Sequence, residues 1–556
     1  MKKLFFFSLL VFCGCQKQTY DLVIRGGTVY DGSGKPGILA DVGINADTIA
    51  FVGELKNAVG KKEINAQGLV VSPGFVNMMS HAEETLILDS RSQSDMKQGI
   101  TLEVLGEASM GPLSPRMKKD QEDFMKRVPD RAYPIDWTSL GEYLESIQRK
   151  GISPNVASFV GANTIRIHEL GYENRAPKPE ELERMKALVK QAMEEGAMGV
   201  TTALIYAPDN YSSTEELIEL SKVAAAYGGM YISHIRSEGD NILAAVDETI
   251  RIAREAKLPA EIYHLKMAGQ DNWNKLDSVK AKIDRANQSG LHISADMYTY
   301  TAGATGLDAT MPPWVQEGGI GEWIKRLKNP TIRKKVLQEM RTPTNQWENM
   351  LRMVGTPDNV LFLGFATDSL KKYIGKRLSE VASAQHKSPQ DAIIDLVIHD
   401  GTRVETAYFM MKEENIKKQI QLPYVSFGSD AGAPSAEGLF LKYKDHPRAY
   451  GNFVRLLGKY VREEKVIPLE EAIRKLTSLP ITNLKIKKRG FLQPGYYADV
   501  VIFDPEKIAD HATFENPHQY ATGVVHVLVN GEQVIKEGEH TGAKPGRIVR
   551  GPGWKK

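Results

Sequence analysis

The middle of this chain alternates short apolar β-forming runs, each closing on a polar residue, with helix-like segments, and that rhythm narrows the possible folds most. Strand candidates lie at 156–160, 230–234, 260–264, 292–296 and 425–430. Helical stretches such as 214–226 and 241–256 separate several of them. The alternation predicts an α/β fold, a parallel (β/α)8 TIM-like barrel, with its chemistry where the C-terminal ends of the strands meet.

Both flanks of that middle are β-rich. Residues 21–32 read as a hairpin, because alternating β-formers surround Gly26-Gly27, a pair that tolerates positive φ. Short strands follow at 41–44 and 49–53, and a matching set recurs at 498–503 and 524–531. Two distant strand sets predict one small β-sandwich domain built from both chain ends, over 20–72 and 485–550, clamping a barrel over 73–484. The charged, helical stretch 311–359, rich in Trp and Met, falls outside the alternation. It reads as an insertion over the barrel mouth acting as a lid, or as an ordinary surface excursion.

The first fifteen residues combine a basic start, a short apolar core and the small-residue junction Gly14-Cys15. This is an export signal of lipoprotein type, with Cys15 the lipidated residue, or a plain secretory signal. The expected location is periplasmic or membrane-anchored in a bacterium, with the membrane reached only through that lipid. Cys13 and Cys15 are the chain's two cysteines, so the mature protein has neither disulfide nor thiolate ligand. A net charge of +2 with no long basic block argues against nucleic acid and favours a small soluble substrate. Nothing in the pattern sets an oligomeric state.

A metal site must therefore come from His, Asp and Glu. His234 and His264 close successive strand candidates with one helix between them, so their side chains converge at one mouth within reach of a single cation. Glu107 ends the run 99–107 and completes a two-His-plus-Glu set that leaves a position for water; a salt-bridged supporting carboxylate is the alternative. Glu103, four residues deeper, reads as a barrel-interior polar group. The stretch Pro73-Gly74-Phe75-Val76-Asn77-Met78-Met79-Ser80-His81 nearly spells a second pair of ligands. Alternation puts residues 79 and 81 on one side of the strand, but the thioether of Met79 is a poor zinc ligand, leaving His81 as an adjunct. Asp430 is placed either to relay a proton beside the metal or to cap a turn or a helix.

With these residues in view, the chain after Tyr20 resembles the D-aminoacylase (N-acyl-D-amino-acid deacylase) branch of the amidohydrolase superfamily. Its first strand follows the amidohydrolase pattern P-G-F-[IV]-D-x-H-x-H, with Met79 in place of the first histidine. The most specific pieces are Leu204-Ile205-Tyr206-Ala207-Pro208, His264-Leu265-Lys266-Met267-Ala268-Gly269, Asp296-Met297-Tyr298-Thr299-Tyr300 and His446-Pro447-Arg448-Ala449-Tyr450-Gly451. The resemblance implies that His234 and His264 hold one tightly bound zinc ion and that Asp430 is the general base and acid. It implies that Lys266, Tyr298 and Arg448 hold the substrate carboxylate and orient the scissile amide; a surface ion pair is the bland reading of each. The implied partner is a small N-acyl amino acid or short D-residue peptide, and D-selectivity rests on the resemblance alone.

Three positions depart from the family pattern. Met79 cripples the weaker second metal position. Ala108 stands where many members place a ligating cysteine, with Glu107 the substitute, and Ala162 stands where many have histidine. Two other readings follow: an inactive or diverged binding lipoprotein, favoured by Met79 and Ala162, and a cyclic-amide hydrolase of the same superfamily. The survival of His234, His264, Lys266, Asp430 and Arg448 favours turnover. The broken first motif and the absence of a lysine ending strand two disfavour the cyclic-amide reading.

Overall fold

The computed structural model describes residues 18–555, so the export segment and both cysteines lie outside the described residues. Eight parallel strands form the central ring: Phe75–Ser80, Ile100–Leu105, a third in two pieces (Asn155–Ser158 and Val160–Gly161), Gly199–Ala203, Met230–His234, Ala260–Ile262, Ile293–Met297 and Val425–Phe427. Each pairs with the next in parallel register. The interruption at Phe159 lets the first piece of strand three pair with strand two and the second piece with strand four. Closure falls between strands eight and one, where Asp430 N donates to Met79 O and His81 N to Ala431 O, both at 3.0 Å. Every residue of these strands is buried, as a parallel barrel covered by helices requires. Strand four, Val200-Thr201-Thr202 at its centre, escapes the sequence reading because it is short and half polar.

Helices return the chain between strands, and several start on residues suited to the task. Ser139 caps Leu140–Lys150 in a reciprocal arrangement with Glu142, and the Ser213 side chain accepts from Glu216 N at the start of Thr214–Ala226. Their apolar faces pack onto the ring in the largest core, which includes Leu144, Ile165, Val189, Leu217, Ile250 and Ile283.

Both chain ends enter one nine-stranded sheet, joined where Val500–Phe503 runs antiparallel to Val70–Pro73. Hydrogen bonding is continuous across it, with Val59–Asn65 branching off Thr19–Val29, and its strands enclose one apolar core that includes Ile24, Val42, Ile64, Val71, Val500 and Leu528. The expected hairpin at 21–32 is instead a single strand, Thr19–Val29, bulged between Ile24 and Gly27. Gly26 at φ +65° supplies the left-handed residue of that bulge, so the glycine pair kinks the strand without reversing it. Before the bulge the strand pairs with Val59–Asn65 and after it with Val70–Pro73. Residues 541–555 leave the sheet and run along the barrel, Val549 N donating to Val156 O at 2.7 Å and Gly551 N to Gly196 O at 2.8 Å. A buried polar network fastens sheet to barrel: Asn530 Nδ2 donates to Asn155 Oδ1 (2.8 Å), and Asn530 N to Asp499 Oδ1 (2.8 Å).

The insertion between strands seven and eight is larger than 311–359. It begins with Ala302–Gly306 and ends with Glu405–Phe409, which pair antiparallel; Val360–Gly364 completes a three-stranded sheet. Its helices, among them Ile320–Lys328, Pro330–Arg341 and Pro389–Asp400, bury Trp323, Leu327, Val336, Phe362 and Ile393 in a separate core. The sequence shows the helices, but the flanking glycine-rich strand Ala302–Gly306 carries no apolar alternation. The insertion is not a surface excursion, since its inner edge walls the barrel mouth.

Candidate active site

A cavity of about 880 Å³ opens at the C-terminal ends of the strands, and all eight residues singled out from the sequence line it: His81, Glu107, His234, His264, Lys266, Tyr298, Asp430 and Arg448. Three of them occupy left-handed backbone, with φ of +64° at Glu107, +35° at His264 and +49° at Asp430. Such a conformation costs a non-glycine residue of order 1–3 kcal/mol, so the fold must hold each in place. Thr201 Oγ1 accepts from Glu107 N at 3.0 Å, and Asp296 Oδ1 accepts from His264 N at 2.9 Å. Asp430 is anchored through its N–H to strand one, and no helix starts at it, so it is not a helix cap.

Glu107, His234 and His264 form a group able to hold one metal ion. Glu107 Oε1 lies 2.9 Å from His234 Nδ1 and 3.2 Å from His264 Nε2. Tetrahedral ligands about 2.1 Å from zinc stand about 3.4 Å from one another, so a small outward relaxation accommodates the ion. The donor set fits: two imidazoles, one carboxylate, no sulfur. Burial alone would raise the Glu107 pKa, but His234 and His264 outweigh it and hold the carboxyl well below its ordinary value. Burial and Lys266 both work against a charge on His264, yet Glu238, Asp430 and Glu107 lift it to about 9. Metals take neutral imidazole, so binding releases protons and strengthens as pH rises.

His81 stands beside this group, its Nε2 3.2 Å from Asp430 Oδ1 and 3.6 Å from Glu107 Oε2. Met79 does not line the cavity: it is fully buried in an apolar cluster with Met78, Val104, Phe159 and Tyr263. The position that would pair with His81 is thus filled with hydrocarbon. Ala108 lines the cavity beside Glu107, and Ala162 begins the helix Ala162–Leu170, with neighbouring Asn163 facing the cavity.

The cations are deep in the site rather than on the surface. Arg448 Nη1 sits 2.5 Å from Asp430 Oδ2, with only 4 % of the arginine side chain accessible. Burial would raise the Asp430 pKa; Arg448, His264 and His81 more than offset it and hold the carboxylate below its usual range. Lys266 Nζ lies 2.6 Å from both Glu238 Oε1 and His264 Nδ1. Tyr298 packs its ring 4.6 Å from the Arg448 guanidinium and 5.5 Å from Lys266 Nζ.

Sequence reasoning missed Glu238, which is 2.9 Å from His264 Nδ1 and whose carboxyl Lys266, His234 and His264 together hold below its ordinary value against the burial that would raise it. Its signal was its place four residues after His234. It missed roles for Tyr206 and His446, although both lie in segments that carry the resemblance. Tyr206 meets the His234 ring edge-on at 5.3 Å. His446 Nδ1 accepts from Arg448 N (3.0 Å), which assigns the proton to Nε2, 2.9 Å from Ala302 O; this neutral ring ties Arg448 to the insertion.

A closed (β/α)8 ring bearing a His/His/Glu group, an adjacent aspartate and buried cations at its mouth defines a metal-dependent amidohydrolase, acting on amide C–N bonds. Residues 416–535 match the amidohydrolase family. D-aminoacylase of Alcaligenes xylosoxydans xylosoxydans is 32 % identical over 96 % of this chain and 98 % of its own. N-acyl-D-glutamate deacylase of the same organism is 30 % identical over 96 % and 97 %. A D-aminoacylase crystal structure superposes with a TM-score of 0.77 at 30 % identity, covering 96 % of this chain and 100 % of that one. The N-acyl-D-glutamate deacylase of Bordetella bronchiseptica, solved with zinc and a phosphonate mimic of the tetrahedral intermediate, gives 0.79 at 27 % identity over the same shares. The chain belongs to the D-aminoacylase family of amidohydrolases.

Proposed function

We propose that this enzyme removes the acyl group from an N-acyl-D-amino acid, or from a short D-configured peptide, using one zinc ion held by Glu107, His234 and His264. The observation that carries the reading is the approach of those three ligands to one another beside Asp430. When bound, zinc supplies Lewis acidity toward the scissile carbonyl and lowers the pKa of the attacking water. Asp430, ionised under the charge of Arg448, accepts the proton of that water and passes it to the leaving amine. Arg448 and Lys266 balance the substrate carboxylate, while Tyr298 packs against the guanidinium and His446 holds the Arg448 backbone. D-configuration is supported by relatives that act on N-acyl-D-glutamate and N-acyl-D-aspartate. A single ion is supported by a D-aminoacylase whose binuclear centre shows one-metal activation and second-metal attenuation, and by the hydrocarbon around Met79.

D-hydantoinase shares the fold at a TM-score of 0.53 and 13 % identity, which supports no cyclic-amide activity here. The complete catalytic cluster favours turnover over a binding-only role. Release of free amino acid from matched N-acetyl-D and N-acetyl-L substrates tests the reading: the D series should react and the L series should not. Equal hydrolysis of both, or none with zinc loaded, would sink it. The same reading includes export, proposed from the lipobox-like Gly14-Cys15 junction, with a lipid on Cys15 as the anchor. Mass spectrometry of the mature protein should find a diacylglyceryl adduct on Cys15; an unmodified start beyond Cys15 would remove the anchor.

A further inference from the structure

Glu238 reaches the metal group from a turn whose outer side faces the insertion, and one insertion side chain holds that turn. Ser237, Glu238 and Gly239 follow strand five and are buried. Glu348 meets them from the insertion: its Oε1 accepts from Ser237 Oγ at 2.5 Å and from the backbone N–H of Glu238 and Gly239, both at 2.8 Å. Buried N–H groups need an acceptor, and three donors converging on one oxygen leave the turn little freedom. Ser237 Oγ accepts in turn from Asn241 N at 3.1 Å, which carries the hold to the start of the helix Ile242–Ala256. A Cβ at Gly239 would come within 2.9 Å of Met353 Cε and 3.2 Å of Glu348 Oε1, so the glycine lets the insertion close onto the turn.

On the inner side of the turn the Glu238 carboxylate lies 2.6 Å from Lys266 Nζ, 2.9 Å from His264 Nδ1 and 3.7 Å from His234 Nε2. It faces both imidazoles of the metal group and the lysine of the carboxylate site, so a displacement of about 1 Å in the turn would disturb all three. Glu348 itself lies outside the active-site cavity, and its Oε2 has no hydrogen-bond partner among the described residues. Burial and the facing charge of Glu238 push its pKa up to about 7, against the donors that lower it. The turn needs an oxygen acceptor, which Glu348 supplies in either proton state. Arg352 pairs with Asp240, and Asn345 O accepts from Asn241 Nδ2, so the insertion also grips the chain just beyond Glu238.

We propose that Glu348 is a positioning residue through which the insertion sets the metal site, holding the turn so that the Glu238 carboxylate meets His264 and Lys266. This rests on the reading above in which His234 and His264 bind zinc with Glu107. The insertion is then a buttress of the metal group as well as a wall of its cavity.

The test compares Glu348→Met, which removes the acceptor, with Glu348→Gln, whose amide oxygen takes the same three donors, and with Arg352→Met, which loosens the insertion elsewhere. Zinc affinity in a chelator competition should fall roughly 10-fold or more in Glu348→Met, as when other outer hydrogen bonds of a metal site are lost. It should return close to the parent in Glu348→Gln and stay there in Arg352→Met. A merely structural glutamate would lower the urea midpoint of Glu348→Met with zinc affinity intact, which would overturn the proposal, as would an equal loss of affinity in Glu348→Gln or Arg352→Met. Should Glu348→Met not fold, Glu348→Asp, which draws the oxygen back by one methylene, carries the same expectation. Unfolding of the metal-free proteins gives a reading independent of zinc: the loss caused by Glu348→Met should shrink in a Glu238→Gln background, where no carboxylate is left to place. Additive losses there would overturn the proposal. A parent that binds no zinc yet shows that coupling would defeat the one-zinc reading while upholding the hold of Glu348 on Glu238.

Discussion

Glu238→Gln should damage the enzyme twice, once through stability and once through the metal. Glu238 and Lys266 are 2 % and 6 % accessible and 2.6 Å apart. At an effective dielectric of 20 their attraction is about 6 kcal/mol, largely offset by the cost of dehydrating both charges. Removing one partner forfeits the attraction yet leaves the other charge buried, so Glu238→Gln and Lys266→Met should each cost about 3–5 kcal/mol. The double variant buries no orphan charge and should be more stable than the sum of the single losses by at least about 2 kcal/mol. Urea unfolding of the four metal-free proteins measures the cycle. Glu238 also holds His264 Nδ1, which points Nε2 at Glu107, so zinc affinity in a chelator competition should fall by about 10–100-fold in Glu238→Gln. Additive losses in the cycle, or unchanged zinc affinity, would refute this account of Glu238.

Three further outcomes follow from the same geometry. Asp430→Asn keeps the shape but cannot take a proton, so kcat should fall by roughly 10²-fold or more while bound zinc, measured by elemental analysis, stays constant. Arg448→Met should raise KM and also move the acid limb of the kcat/KM profile to higher pH: Arg448 depresses the Asp430 pKa, and the base works only above that pKa. An unmoved acid limb would disconnect the pair. Met79→Leu conserves apolar volume in its buried cluster, so stability should change by less than about 1.5 kcal/mol with zinc content and kcat kept; loss of zinc would make the thioether a ligand after all.

The barrel was legible because parallel strands buried on both faces read as apolar runs, and because His234, His264 and Asp430 close three of them. Strand four was not, since it is short and half polar: Thr201 turns into the barrel and fixes the Glu107 backbone, while Thr202 on the opposite face meets Tyr231 and Ser233. The break of the His-x-His motif was plain from Met79, but only packing shows that hydrocarbon fills the space. The charge partner Glu238 was hidden because it lies on the loop after strand five, which carries no barrel pattern. The glycine pair at 26–27 misled the reading because positive φ serves a bulge as well as a turn, and local sequence does not say which.

The central claim is that one zinc ion, held by Glu107, His234 and His264, suffices for deacylation. Stripping the purified protein of metal and titrating zinc back, while following both bound zinc and amino-acid release from the best N-acetyl-D substrate, tests it directly. Activity should rise linearly and saturate at one equivalent per chain, and His264→Ala should bind none. Saturation only at two equivalents, or activity that survives complete removal of metal, would contradict the account.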